Sequence, residues 1–266
     1  MSAPYIAISE KRVLHQRVSD LTLKIARPLV RYNDREPWPK SLSGGTCFIL
    51  RFDRGLIGVT ADHVISAFEE DKLKDVGMRC LLRTVPFDLL GAILARDAVL
   101  DIATFAVTEE DLAGSEAVVL DCRSTSWPAP VPRRGDPISF GGFPANIAKQ
   151  SLHFNVTFEA FVSLTMIQDV TRRDIIVTYD PARDSRIVAN PELPELGADL
   201  SGCSGGPVLV HYERNGLHRW FPVGMMVAGP REQGTGISAE FDMLRFRRIH
   251  FIQPDGSIEH PDGGGG

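Results

Sequence analysis

The feature that most constrains this chain is its series of short apolar runs, rich in β-branched and aromatic residues and each closed by glycine, proline or aspartate. They fall at 47–52, 56–60, 79–85, 102–107, 137–143, 152–165, 174–179, 207–212 and 220–227. Most are too short for a packed helix and have the composition of strands, so they predict an all-β barrel or sandwich. Helical candidates are few: one or two turns over 64–76, another over 109–113, and a short C-terminal helix over 238–246. The stretch 123–136 carries Pro128, Pro130 and Pro132 with little apolar content, so it reads as a connection between two β units. The expected layout is an N-terminal extension over 1–42 that packs on the barrels, a first barrel over 43–122, and that connection. A second barrel with the C-terminal helix follows over 137–253, then a flexible tail over 254–266 that ends in four glycines.

Composition narrows the function classes. With 29 basic against 34 acidic residues the net charge is −5, which gives no general attraction to nucleic acid or to an anionic membrane. The first thirty residues are studded with charge, and nowhere is there an apolar run of the roughly 20 residues a membrane span needs. Cys47, Cys80, Cys122 and Cys203 are too few for a disulfide scaffold and too far apart for a zinc knuckle, so a reducing cytoplasm is expected. His15, His153, His211, His218, His250 and His260 are scattered without ligand spacing, and neither a metal nor a cofactor is expected. The Arg245-Phe246-Arg247-Arg248 cluster reads as a solvated face.

Three segments carry chemistry. Gly58-Val59-Thr60-Ala61-Asp62-His63-Val64 is a buried-looking strand ending in a histidine. Leu100-Asp101-Ile102-Ala103 sets an aspartate just ahead of an apolar strand. Gly202-Cys203-Ser204-Gly205-Gly206-Pro207 places a serine in a glycine-rich turn that leads into another. Alone, His63 is a rim residue, Asp101 a turn acceptor, and the third segment a tight loop. All three in one chain, in the order His, Asp, Ser, are far less expected by chance than any one of them alone.

The order His, Asp, Ser resembles the chymotrypsin-like serine peptidases. Gly45-Thr46-Cys47-Phe48-Ile49-Leu50 followed by Thr60-Ala61-Asp62-His63-Val64 looks like the first-barrel opening of the bacterial trypsin-like members, and Gly141-Gly142-Phe143-Pro144 like their turn at the start of the second barrel. The resemblance covers roughly 43–246. It implies two six-stranded antiparallel β-barrels with the site between them, His63 as general base, Asp101 as its orienting carboxylate and Ser204 as nucleophile. The backbone amides of Gly202 and Ser204 would form the oxyanion hole.

The sequence departs from the family at two places. Cys203 stands where digestive members carry an aspartate, and it is a rival nucleophile because viral relatives use cysteine before the paired glycines. The register, with both glycines after Ser204, favours serine. At the expected base of the substrate pocket stands Ala198, which cannot pair with arginine or lysine; the adjacent Asp199 could supply a carboxylate one position out of register. Val227, Ala228 and Gly229 look like the pocket wall. An uncharged, apolar P1 residue of a protein or peptide substrate is expected. The alternative is a catalytically silent scaffold that binds proteins, or one that a regulatory partner switches on.

Overall fold

A computed structural model describes residues 8–38, 40–113, 118–123, 127–144, 148–150, 156–158, 160–179, 185–186, 200, 202–228 and 242–260. In chain order these form α1 (Ile8–Ile25), β1 (Arg27–Asn33), β2 (Ser43–Phe52), β3 (Gly55–Thr60), α2 (Asp62–Lys74), β4 (Met78–Leu82), β5 (Val85–Pro86), β6 (Ile93–Asp97), β7 (Ile102–Val107) and β8 (Leu120–Asp121). There follow β9 (Pro137–Gly142), β10 (Ala148–Gln150), β11 (Val156–Phe158), β12 (Phe161–Met166), β13 (Asp169–Val170), β14 (Asp174–Tyr179), β15 (Ser185–Arg186), β16 (Pro207–Arg214), β17 (Leu217–Ala228) and β18 (Asp242–Arg248).

The protein is mostly β. One sheet runs β5-β4-β1-β2-β3-β7-β6 with β8 also paired to β2; the other runs β13-β14-β18-β17-β16-β9-β12-β15, and β10 pairs β11 separately. Every pairing is antiparallel except β2 with β8. Each large sheet thus has eight strands among the described residues, where six per barrel were expected. The extra ones include two-residue edge strands such as β5 and β13, too short to show as apolar runs.

Two apolar cores hold these sheets. Phe48, Leu50, Val59, Ile65 and Phe105 belong to one, and Ile138, Phe140, Phe161, Val177 and Phe246 to the other. Strands β16 and β17 lie between them: Val208 and Val210 face the second core, while Leu209 faces the first. Likewise Met226 packs in the second and Met225 and Val227 in the first. A strand buried on both faces reads as an unbroken apolar run, as Val208-Leu209-Val210 does. Each such buried side chain stabilises by about 2 kcal/mol.

Several expectations change. The expected C-terminal helix is absent over the described residues 242–246, which belong to β18; 238–241 lie outside the described residues. Leu244 and Phe246 are fully buried while Met243 is 66% exposed, a period of two that suits a strand and no helix. Nor is the arginine cluster a solvated face: Arg247 and Arg248 are buried, Arg247 against Asp174 and Arg248 on the carbonyls of Thr171 and Arg172.

At the N-terminus, residues expected as an extension supply α1, which packs on β9 and β12, and β1, which lies inside the first sheet between β4 and β2. The stripe Leu14, Val18, Leu21 and Ile25, at helical spacing, is the signal that would have found α1. Residues 254–260, the start of the expected tail, turn back with Ile252 bridged to Ile258, and the Gly256 carbonyl accepts from Thr104 Oγ1 at 2.5 Å. Residues 261–266 lie outside the described residues. Among those described, no helix is long and apolar enough to cross a membrane.

Candidate active site

His63 sits in the first turn of α2, directly after β3, not at a strand end. That turn is clamped from β6: Arg96 Nε donates to the buried Asp62 carboxylate at 2.6 Å, Nη1 to Glu69 at 2.6 Å and Nη2 to Ser66 Oγ at 2.7 Å. Three bonds from one rigid guanidinium fix where α2 starts, and with it the direction of the next side chain.

Asp101 lies in the turn between β6 and β7. Asp97 makes that turn, its Oδ1 accepting from Val99 N at 2.9 Å and Leu100 N at 2.8 Å, so this neighbouring carboxylate is spent on its own backbone. Asp101 follows with φ +53°, a left-handed conformation that aspartate tolerates better than most residues. Its carboxylate takes His63 twice: the backbone N–H at 2.9 Å on Oδ1 and ring Nδ1 at 2.8 Å on Oδ2. Neutral imidazole that gives its Nδ1 proton to a carboxylate has its lone pair on Nε2. In that tautomer the free acceptor of the pair is Nε2.

Ser204 stands in the turn 202–206, whose conformation rests on Gly205 (φ +85°); a Cβ there would lie 2.0 Å from the Thr46 carbonyl oxygen. Three of its amides are engaged. Cys203 N donates to Leu200 O at 3.0 Å, Gly205 N to Met226 O at 2.7 Å and Gly206 N to Cys203 O at 2.8 Å. Among the described residues the N–H groups of Gly202 and Ser204 donate to nothing. Two amides of the turn, those of Gly202 and of Ser204 itself, are thus unengaged among the described residues and are donors of the kind an oxyanion hole uses.

The turn is fastened to the first sheet by Thr46, a residue not singled out for a role from the sequence. Thr46 N donates to Ser204 O at 2.8 Å, and its Oγ1 donates to Gly202 O at 2.8 Å while accepting from Phe143 N at 2.9 Å. Thr60 Oγ1 in turn donates to Thr46 O at 2.7 Å. Next to it, Gly45 separates the two parts of the site: a Cβ there would lie 2.7 Å from the Val64 methyls and 3.2 Å from Ser204 O. Glycine at 45 thus lets the start of α2 approach the serine turn. Ser204 Oγ and His63 form no hydrogen bond with each other.

The rival nucleophile is buried: Cys203 is fully enclosed in the second core. Burial pushes the thiol of Cys47 up and those of Cys80 and Cys122 up to about 12, so these three stay protonated. Of the expected pocket, Ala198, Asp199 and Gly229 lie outside the described residues. Val227 turns its side chain into the first core, and Ala228 closes β17 opposite Arg245.

Arg247 is a second residue the sequence reading missed. From β18 its Nε donates to Asp174 at 2.7 Å, and its Nη1 reaches the carbonyls of Val99, at 3.2 Å, and Leu100, the residue before Asp101. Among histidines read as scattered, the β16–β17 hairpin brings His211 Nε2 within 2.9 Å of His218 Nδ1. No group of three or more His, Cys, Asp or Glu among the described residues is placed to hold a metal ion. The chain matches no protein-family model and no curated protein sequence. What ties it to a chemistry is the geometry of His63, Asp101 and the Ser204 turn.

Proposed function

We propose that the protein is a serine endopeptidase of chymotrypsin-like type, its two sheets forming two barrels with the site between them. One observation carries this reading: His63 Nδ1 meets the Asp101 carboxylate at 2.8 Å, on a helix that packs beside the glycine turn bearing Ser204. In this reading Ser204 Oγ attacks the carbonyl carbon of a peptide bond while its proton passes to His63 Nε2. The carbonyl electron pair moves to oxygen, and the amides of Gly202 and Ser204 hold the resulting oxyanion, each worth about 3 kcal/mol. Collapse breaks the C–N bond, and the leaving amine takes the proton from His63. Water then repeats the sequence and frees Ser204. Asp101 stays ionised throughout, fixing the tautomer and stabilising the imidazolium. With Ala198 at the expected pocket base, the substrate is a protein or peptide with an uncharged, apolar P1 residue.

The missing Ser204–His63 hydrogen bond favours a second reading, a scaffold that a protein partner must close before it acts. A fluorophosphonate probe separates the possibilities. Ser204→Ala should abolish labelling and Cys203→Ala should leave it. Labelling that survives Ser204→Ala and disappears in Cys203→Ala would reverse the nucleophile. Labelling of the wild-type chain only after a cell extract is added would select the partner-dependent form. Absence of labelling under both conditions would leave a silent scaffold.

A further inference from the structure

Arg27 opens β1 opposite Cys47 and is only 5% exposed. Its Nη1 donates to the carbonyl of Ala26 at 3.0 Å, but Nε and Nη2 are buried with no hydrogen-bond partner among the described residues. Those two nitrogens form the edge of a guanidinium that takes an oxyanion side-on through two parallel N–H bonds. Burial depresses the Arg27 pKa, and the Arg83 guanidinium depresses it further. A second cation stands nearby where a carboxylate would be expected.

The two arginines line one pocket of about 140 Å³ with Thr84, Asp111, Leu112 and Ala113. Arg83 stands at the corner of the β4–β5 hairpin with φ +62°, its N–H bonded to Pro28 O at 2.8 Å, and its exposed side chain makes no ion pair among the described residues. Asp111, the acidic residue of the lining, forms no ion pair with either arginine among the described residues, so the lining keeps a net positive charge. Its Oδ2 accepts from Thr108 N at 2.8 Å and Thr108 Oγ1 at 2.7 Å. The cavity is well below the roughly 300 Å³ at which pockets for drug-sized ligands begin, so its occupant is small.

We propose that this pocket binds a phosphate group, as inorganic phosphate or as a phosphate monoester. A tetrahedral oxyanion offers two oxygens to the Nε–Nη2 edge of Arg27 and still has others for Arg83, whereas a carboxylate would have to share the same two between both cations. Nε and Nη2 have no solvent contact of their own, so an oxyanion reaches them only if the Arg27 side chain turns toward the pocket. The site is independent of the peptidase reading.

Isothermal titration of inorganic phosphate into the full chain, at ionic strength held constant with chloride, tests it. Wild-type protein should bind saturably with one site, and Arg83→Ala should weaken binding about tenfold or more, since a charge-assisted bond is lost. Arg83 is exposed, so this variant decides the matter even if Arg27→Met fails to fold. Phosphoserine in place of phosphate separates the sources: binding means that the pocket admits monoesters, and phosphate alone means that it takes only the free ion. No saturable binding at millimolar phosphate, or equal binding by wild type and Arg83→Ala, would overturn the proposal.

Discussion

The two halves of the candidate site are held in opposite ways. His63 and Asp101 come from the first sheet and touch directly, yet the turn before Asp101 is also braced by Arg247 from the second. Ser204 leads into the second sheet, yet its turn is fastened by Thr46 of the first. Each half carries its own functional group and supports that of the other. Such crossed bracing ties the position of each group to the packing of both sheets.

The sharpest break in that symmetry is Asp101→Asn, which keeps the shape and removes the charge. On the peptidase reading kcat should fall about 10⁴-fold with little change in KM, because the amide stabilises the wrong imidazole tautomer. Full activity in this variant, or a loss confined to Asp97→Asn, would mean that another carboxylate orients His63.

The braces are the next contrast. Arg247→Met leaves Asp174 half-buried without its cation and should cost about 3 kcal/mol of stability. It should also lower kcat more than it alters KM and shift the His63 titration followed by NMR of the imidazole. Thr46→Val removes one hydroxyl from the other side and should cost about 1–3 kcal/mol, with Thr46→Ser restoring both stability and rate. An Arg247→Met variant that loses stability while the His63 titration stays unchanged would make Arg247 a structural residue and the bracing one-sided.

The smallest effect lies outside the site, just after β18, where the chain passes from the second sheet to the first core. His250 packs on Phe251, with ring centroids 3.9 Å apart, and burial, aided by Arg248 and Arg172, lowers its pKa from 6.5 to about 4. The folded pKa lies below the unfolded one, so this group's contribution is present above about 6.5 and is lost as pH falls towards 4. Thermal unfolding midpoints should therefore drop across that window, and His250→Phe should flatten the drop. An unchanged slope in the variant would assign the acid sensitivity to other groups.

What the sequence determined by itself is what local chemistry can encode. Apolar runs closed by turn residues predicted the spans of β7 and β14 and most of β3, β16 and β17, because strand burial leaves its pattern within a few residues. The serine turn was legible for the same reason, since its glycines are needed where they stand. The helix α1 was legible too, in the spacing of Val18, Leu21 and Ile25, but charge on its other face hid it from a search for apolar runs. Residues 242–246 were misread because Ala239, Met243 and Phe246 also stand at i, i+4 and i+7, so a window this short fits a helix as well as a strand.

Only the tertiary structure decided which groups hold the site. Thr46 meets the Gly202 carbonyl across 156 residues, and Arg247 meets Val99 across 148. His63 and Asp101, 38 residues apart, meet only because β3, α2, β6 and β7 pack as they do. The same holds for Arg27, whose missing partner is invisible until the chain around it closes. Hydrophobic period is a property of neighbours along the chain, whereas a hydrogen bond between distant residues exists only after loop closure and core packing have brought its two ends together.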